Sequence, residues 1–201
     1  MSDESVRALH PNESAARVVP RPMEEMRQSW LSILARIPGD GLKGRGFPRN
    51  VLGELMHNPE TFGPFLEYWV SCKEKMGLSV REQELVILRM AHLYRSNYVW
   101  KHHVPLAREF GVSEAELSAL AGIVPSPLFS RRECALLVLT DELVEARTIR
   151  ASVWEAWATV LKPSELIDLI NLVSQYVLFA LTNNALQVQI EETLGEIPGL
   201  I

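Results

Sequence analysis

Residues 79–110, SVREQELVILRMAHLYRSNYVWKHHVPLAREF, constrain the fold more than any other stretch, because apolar residues recur in them at helical spacing. The pattern stops at the polar tripeptide of residues 95–97 and then resumes, which predicts two consecutive helices. Ser79 and Glu82 have the spacing of a capping box, so the first helix is expected to begin there. We therefore expect the rest of the chain to be organised around this central helix pair.

Each helix of the central pair carries one ionisable side chain among its apolar positions. Glu84 shares a helix face with Ile87 and Leu88, and His103 shares one with Val99 and Leu106. Loss of hydration on such a face predicts a raised pKa for the Glu84 carboxyl. An imidazole titrates close to neutrality and can accept or supply the complementary proton. The pair suits proton abstraction next to a carbonyl, double-bond migration, lactone opening or decarboxylation, none of which needs a metal or an organic cofactor.

Helical patterns recur along most of the remaining chain, separated by glycine, proline and capping signals. No convincing run alternates between apolar and polar residues, and no Asn-Gly or Asp-Gly turn joins two strand-like segments. The predicted fold class is all-α, with a single domain over residues 23–201 that follows a flexible N-terminal arm of residues 1–22. Further helices are predicted over residues 23–37, 50–56 and 60–76, with a loop over residues 38–48. Capping boxes predict that three more helices begin at Ser113, at Ser130 (ending at about residue 146) and at Ser152. The last predicted helix runs from Pro163 to about residue 194.

Composition and charge narrow the set of partners. The 201-residue chain has a net charge of −5 at pH 7 and no basic stripe, so neither nucleic acid nor an anionic membrane is expected as a partner. Residues 166–188 are strongly apolar, but polar side chains interrupt them too often for a lipid-facing span, which favours a buried helix or a subunit interface. Cys72 and Cys134 lack metal-type spacing, and the N-terminus lacks the apolar run of a secretory signal. We expect free thiols, no metal and a cytoplasmic protein.

The polar residues of the central pair are spaced in a way that resembles the carboxymuconolactone decarboxylase and alkylhydroperoxidase D (AhpD-like) superfamily. In the redox branch of that superfamily, a glutamate is followed twelve residues later by C-x-x-C, and a histidine lies four residues after the second cysteine. The corresponding positions in this chain are Glu84, Ser96, Val99 and His103, with Tyr98 at the aromatic position inside the motif. The resemblance covers roughly residues 49–186.

This resemblance implies an AhpD-like helical bundle with a long C-terminal helix, assembled as a homo-oligomer that is a trimer, a hexamer or a dimer. It also implies cofactor-free chemistry on a small cyclic, unsaturated or carboxylated molecule, because the decarboxylase branch uses no cofactor. The expected function is a lyase or isomerase that acts by proton transfer. The site residues implied are Glu84 and His103 as catalytic groups, and Ser96, Tyr98, Val99, Trp100 and His57 as substrate-binding groups.

Both motif cysteines are replaced, which argues against a thiol peroxidase, because that cycle needs one thiolate to attack the peroxide and a second thiol to resolve the sulfenate. Two alternatives stay open. One is a superfamily member that binds a small molecule or scaffolds a partner without turnover, and the other is a redox protein that uses Cys72 or Cys134. Structural interpretations also exist for single residues: Ser96 as the N-cap of the second helix, His57 as part of a turn, and His102 as an exposed residue rotated away from His103.

Overall fold

A computed structural model of the chain describes residues 16–36, 47–194 and 197–200, and the regular structure in those residues is entirely helical. The all-α prediction is confirmed. Short 3₁₀ turns lie at Met23–Glu25, Ala158–Val160 and Glu192–Leu194. The α-helices are α1 (Gln28–Leu34), α2 (Arg49–Leu55), α3 (Pro59–Lys75), α4 (Val80–Leu93), α5 (Asn97–Glu109), α6 (Glu114–Ala119), α7 (Arg131–Glu145), α8 (Ala151–Trp157) and α9 (Pro163–Leu186).

Helix α4 lies at the centre of the bundle, where it packs against α5, α7 and α9. Every side chain from residue 83 to residue 91 is buried, including those of Glu84 and Arg89. The Arg89 guanidinium is held by Asp141 of α7, with two nitrogens each 2.7 Å from a carboxylate oxygen. Because α4 is enclosed in this way, each of its polar side chains must find a partner inside the protein.

Capping boxes set the beginnings of three helices where the sequence predicts them. Ser79, Ser113 and Ser130 each accept a hydrogen bond from the backbone N–H three residues on, and the glutamate at that position bonds back to the cap. The box predicted at Ser152 is wrong, because α8 begins at Ala151 without a side-chain cap. The Glu142 carboxylate of α7 instead holds the backbone N–H of Arg150 just before α8.

The first predicted helix is broken in the structure. A 3₁₀ turn at Met23–Glu25 is followed by two residues in extended geometry, Met26 and Arg27, before α1 begins at Gln28. Met26 is buried in the core, so the break allows its side chain to point inward ahead of the helix. Residue 37 of the predicted helix, residues 38–46 of the predicted loop and residues 1–15 of the predicted arm lie outside the described residues.

The described part of the predicted arm, residues 16–22, contacts the rest of the chain. The backbone N–H of Arg17 donates to the carbonyl of Leu186 at 2.9 Å, and its guanidinium donates to the carbonyl of Ala185 at 3.0 Å. The backbone N–H of Arg21 donates to the carbonyl of Gly53 at 3.0 Å. These contacts place residues 17–21 between the end of α9 and helix α2, while the flexibility of the arm as a whole stays a prediction.

Helix α9 begins at Pro163 as predicted but ends at Leu186, eight residues before the predicted end at about residue 194. Gln187 adopts the left-handed conformation, with φ of 56°, and this ends the helix. The chain then turns back over α5, where the backbone N–H of Leu200 donates to the Asn97 side chain at 3.2 Å. By length and composition α9 is apolar enough to cross a membrane, but half of its most apolar stretch is buried inside the protein, as in the core helix of a soluble bundle.

Candidate active site

Glu84 and His103 meet between the two helices of the central pair. The Oε2 atom of Glu84 lies 2.6 Å from Nδ1 of His103, although the two residues are separated by the turn between α4 and α5. Glu84 is fully buried, whereas the His103 side chain keeps 15% of its surface exposed. The imidazole therefore joins an enclosed carboxylate to a position that solvent reaches.

Two side chains that the sequence analysis did not identify complete this cluster. Lys73 of α3 places its Nζ 3.8 Å from Oε1 of Glu84 and 3.4 Å from the phenol oxygen of Tyr176. Tyr176 of α9 places the same oxygen 3.2 Å from Nε2 of His103. Four helices thus contribute one polar side chain each. We call Lys73, Glu84, His103 and Tyr176 the four-residue cluster.

The charges inside the four-residue cluster give the Glu84 carboxyl a lower pKa than the sequence predicts. Burial by itself raises the pKa of this carboxyl, as predicted, but the charges and hydrogen bonds of His103 and Lys73 outweigh burial and hold the pKa below its usual range. The prediction of a raised pKa is therefore wrong. Burial also lowers the pKa of His103, and the Lys73 charge adds to that effect against the pull of Glu84. At neutral pH the cluster contains an ionised Glu84 and a neutral His103.

Hydrogen-bond directions follow from these protonation states. An ionised Glu84 only accepts, so Nδ1–H of His103 donates to it and Nε2 carries the lone pair. The Lys73 ammonium only donates, so the phenol oxygen of Tyr176 accepts from it, and the Tyr176 O–H donates to Nε2. Burial raises the pKa of Tyr176, which keeps its proton. The four residues form one chain of donors and acceptors that runs from the Lys73 cation to the Glu84 anion.

Aromatic rings border the Tyr176 end of the cluster. The Tyr176 ring meets the His103 ring edge to face, with centroids 5.1 Å apart, and lies 5.7 Å from the ring of Phe179. Phe179 in turn contacts Phe65 at 5.5 Å and Trp69 at 5.2 Å, both from α3. We call Phe65, Trp69 and Phe179 the aromatic wall, and these apolar rings give the polar cluster surroundings in which electrostatic interactions are stronger than in water.

Tyr98, predicted to bind substrate, belongs to a second buried group at the start of α5. Its O–H donates to Oε1 of Glu191 at 2.8 Å, and its ring stacks on His102 with centroids 4.1 Å apart. His102 is buried, so its predicted exposure is wrong. Its Nδ1 lies 2.8 Å from the carbonyl of Tyr98 and its Nε2 lies 2.8 Å from Oε2 of Glu191. Both ring nitrogens of His102 thus face acceptors, and Glu191 ties the segment after α9 to α5.

The other predicted binding residues lie in different surroundings. Ser96 occupies the N-cap position of α5, but its buried hydroxyl makes no hydrogen bond among the described residues, so the capping bond expected of it is absent there. Val99 and Trp100 are buried in the core. His57 is exposed, and its Nε2 lies 2.9 Å from the carbonyl of Val19, outside the four-residue cluster. Of the seven predicted site residues, the structure joins Glu84 and His103 directly.

The sequence contains a pattern that could have identified Lys73 and Tyr176, because each continues the apolar periodicity of its own helix. Lys73 continues the buried stripe of α3 four residues after Trp69, and Tyr176 continues that of α9 four residues after Leu172. A polar residue in line with a buried stripe needs a partner, which is the same argument that identifies Glu84. Among the described residues, no group of three or more His, Cys, Asp or Glu side chains is arranged to hold a metal ion.

Residues 59–142 match the carboxymuconolactone decarboxylase family in sequence. The matching segment runs from the start of α3 into α7, so it contains Lys73, Glu84 and His103, whereas Tyr176 lies beyond it. No curated protein matches the chain in sequence.

Several solved structures share the fold over most of the chain. The debrominase Bmp8, crystallised with 2,3,4-tribromopyrrole, is 14% identical over 89% of this chain and 93% of its own, with a TM-score of 0.69. A peroxidase-related protein from Silicibacter sp. TM1040 is 15% identical over 93% and 95%, with a TM-score of 0.68. A protein of unknown function from Agrobacterium tumefaciens, described as a candidate antioxidant defence protein AhpD, is 18% identical over 68% and 94%, with a TM-score of 0.62. At these identities the likeness establishes the fold alone.

Proposed function

Because residues 59–142 match the carboxymuconolactone decarboxylase family and the chain has the AhpD-like helical fold, we propose that the protein is a cofactor-independent acid–base enzyme. Its reaction is a lyase or isomerase step in which a proton moves on a small oxygenated molecule. The observation that carries the proposal is the 2.6 Å contact between Oε2 of Glu84 and Nδ1 of His103, inside a cluster that leaves Nε2 as the basic atom.

In this proposal His103 is the general base and Glu84 is the residue that positions it. Glu84 fixes the tautomer in which Nδ1 carries the proton, so Nε2 keeps the lone pair, which Tyr176 contacts at 3.2 Å. When Nε2 takes a proton, the new imidazolium lies next to the buried Glu84 anion, which stabilises it. The proton then returns to a different atom of the substrate, or to a leaving group, and the base is regenerated.

The access that the proposal needs is provided by the two most exposed members of the four-residue cluster. The side chains of His103 and Lys73 keep 15% and 11% of their surface exposed, while Glu84 keeps none. In the proposal a substrate therefore approaches the cluster from the side of His103 and Lys73, and Glu84 acts only through His103. A buried Glu84 serves this role because its charge acts in a low-dielectric region and needs no reorganisation during the reaction.

The proposal is tested by proton exchange, which requires no knowledge of the natural substrate. A panel of small cyclic ketones, lactones and unsaturated acids is incubated with the protein in D₂O, and the loss of exchangeable C–H signals is followed by NMR. We expect Glu84→Gln and His103→Gln to lower the exchange rate by about 10²-fold or more, the usual cost of removing a positioned base. Glu109→Gln and His92→Gln, which change the same residue types outside the four-residue cluster, serve as controls.

Two results would contradict the proposal. One is an exchange rate that stays at the wild-type level in both Glu84→Gln and His103→Gln, which removes these residues as catalysts. The other is peroxide-dependent turnover that disappears when Cys72 or Cys134 is changed to serine, which would assign the activity to a thiol. Both cysteines are unpaired, and the buried Cys134 Sγ lies 3.4 Å from the carbonyl of Ser126, in surroundings that offer no cationic partner among its hydrogen bonds.

A further inference from the structure

Tyr176 contacts both the proposed base, His103, and the Lys73 cation of the cluster. We infer that Tyr176, backed by Lys73, binds the substrate oxygen that becomes negative when His103 removes a proton, so that the substrate is an enolisable carbonyl compound. This inference rests on the proposed function of His103 as a base. It also assigns a role to a residue that lies beyond the segment matched by the family.

The hydrogen bonds of Tyr176 show how a carbonyl oxygen takes its place in the cluster. The phenol O–H donates to Nε2 of His103 at 3.2 Å, which occupies the lone pair that the base needs. A substrate oxygen that accepts this O–H releases Nε2 at the same moment. Because the phenol and the imidazole are neighbours, the carbon next to that carbonyl then lies beside the freed lone pair. One exchange of hydrogen bonds therefore both binds the substrate and activates the base.

The two fixed charges of the cluster, on Lys73 and Glu84, match the two charges that enolate formation creates. Before the reaction, the Lys73 ammonium and the Glu84 carboxylate face each other at 3.8 Å across the cluster. Proton transfer makes a cation on His103, which already contacts Glu84, and an anion on the substrate oxygen, which would contact Tyr176 beside Lys73. Each new charge thus forms next to a fixed opposite charge, as expected for a site preorganised for this transition state.

The aromatic wall restricts the polarity of the carbonyl compound. Phe179, Phe65 and Trp69 continue from the Tyr176 ring as a series of edge-to-face and tilted contacts with centroid distances between 5.2 and 5.7 Å. These apolar rings give no hydrogen-bonding partner to a second charged group beyond the indole N–H of Trp69. An apolar carbonyl compound with one oxygen to bind and no second charged group fits this combination of one polar corner and one aromatic wall.

The proposed step is redox-neutral and conserves protons. A C–H bond next to the carbonyl breaks, and its electron pair becomes the C=C bond of the enolate, while the carbonyl π pair moves to oxygen. The proton forms a new N–H bond at Nε2 of His103. The Tyr176 O–H donates a hydrogen bond to the enolate oxygen and keeps its proton.

The test uses 4-nitrophenol, whose anion resembles an enolate on a flat ring, with nitrobenzene as the ring without the oxygen. Binding to the full-length protein is measured by calorimetry in mildly alkaline buffer. We expect Tyr176→Phe to weaken binding of the 4-nitrophenolate anion by at least about tenfold, because a hydrogen bond to a charged oxygen is lost while the ring is retained. Tyr68→Phe is the matched control, since Tyr68 is exposed and its O–H donates to Asn171 of α9 outside the cluster.

The remaining variants separate this inference from the proposed base. His103→Gln is expected to abolish exchange but to keep binding of the 4-nitrophenolate anion within about threefold of wild type, because Tyr176 and Lys73 remain. Equal binding by wild type and Tyr176→Phe, or the absence of saturable binding in wild type, overturns the inference and leaves the base untouched. Loss of binding in Tyr176→Phe together with unchanged exchange in His103→Gln supports the oxygen site and overturns the base instead. Thermal unfolding of each variant confirms that it is folded.

Discussion

His103 differs from an ordinary histidine because burial and two charged neighbours act on its proton. Burial and the Lys73 charge disfavour the imidazolium, and Glu84 favours it only in part, so the pKa of His103 is below 6.5. We expect an NMR titration of its ring protons to show a midpoint below that value in wild type. The midpoint should fall further in Glu84→Gln, which loses the stabilising anion, and rise in Lys73→Met, which loses the repelling cation. Shifts in the same direction in both variants would contradict this arrangement.

This lowered pKa also has a consequence for stability. Because the unfolded chain binds the His103 proton with an ordinary pKa near 6.5, it binds more protons than the folded chain as the pH falls below that value. Folding is therefore destabilised from about pH 6.5 downward. The lowered pKa of Glu84 adds a second loss when the pH falls below about 4.5, the ordinary value for that carboxyl.

Glu54 of α2 behaves in the opposite way. It is 4% exposed, neither carboxylate oxygen has a hydrogen-bond partner among the described residues, and burial raises its pKa to about 7. The folded protein therefore holds this proton more tightly than the unfolded chain, and stability is lost as the pH rises from 4.5 to about 7. We expect Glu54→Gln to stabilise the protein, by about 2 kcal/mol more at about pH 8 than at about pH 5, since a tenfold change in proton affinity corresponds to about 1.4 kcal/mol.

Urea unfolding of wild type and Glu54→Gln at the two pH values measures this difference directly. Glu155→Gln changes an exposed glutamate of α8 and serves as the control, with no change in its effect between the two conditions expected. A gain from Glu54→Gln that is the same at both pH values would mean that Glu54 is ionised in the folded protein.

The sequence predicts two members of the four-residue cluster, Glu84 and His103, and does not predict the other two, Lys73 and Tyr176. Glu84 and His103 are visible because each interrupts an apolar stripe of its own helix, and helical periodicity is a local property. Lys73 and Tyr176 come from helices outside the central pair, so their approach to it depends on packing. The protonation states depend on packing as well, since burial raises the pKa of an isolated Glu84 and only the neighbours reverse the direction.

At the scale of helices, the glutamates of the capping boxes also link one helix to another, because arginine side chains bind them in pairs. Arg132 of α7 binds Glu82 at 2.6 Å and Glu165 at 3.1 Å, which are the third residues of α4 and α9. Arg81 of α4 contacts Glu133 at 2.8 Å and also Glu116, the third residues of α7 and α6. Two arginines thus hold four helix N-termini together at the end of the bundle.

Because Arg132 joins α4 to α9, and these helices carry two members of the four-residue cluster, its loss is expected to weaken the bundle. We expect Arg132→Met to lower the free energy of unfolding by about 1 kcal/mol, a modest value because the side chain is 34% exposed and solvent screens the charges. Arg131→Met changes the adjacent exposed arginine and is the control. Urea unfolding at low and high salt measures the effect, and a loss that is independent of salt would contradict an electrostatic origin.

Helix beginnings are more predictable than helix ends in this chain, and the reason lies in their chemistry. The boxes at Ser79, Ser113 and Ser130 use side chains that lie three residues apart, so the signal is complete in the local sequence. The end of α9 depends on the left-handed backbone conformation of Gln187, and glutamine is not a residue type from which that conformation is predicted. The start of α8 depends on Glu142, which belongs to the preceding helix.

At the scale of the whole molecule, helix α9 has two apolar faces. One packs against α3, α4, α5 and α7, and carries Tyr176 into the cluster. The other remains exposed in a single chain, and its apolar side chains recur along the helix axis. They are Ile167, Ile170, Leu178 and Leu181. An apolar face of this kind, interrupted here by the exposed Ser174, is typical of a surface that a partner covers, and the resemblance to the superfamily implies that the partner is a second copy of the chain.

We therefore expect the wild-type protein to form a homo-oligomer through the exposed face of α9, and expect Leu181→Glu to shift it toward the monomer. Leu181 is 54% exposed in the single chain, so a carboxylate there costs the isolated fold little, whereas burial of that charge in a subunit interface is strongly unfavourable. Light scattering after gel filtration at micromolar concentration measures the mass. Leu128→Glu places the same charge at a similarly exposed leucine before α7 and should leave the mass unchanged. A monomeric wild type, or a Leu181→Glu variant of unchanged mass, would mean that this face of α9 is not the interface, and the reach of His103 to solvent in the single chain would then hold for the functional protein as well.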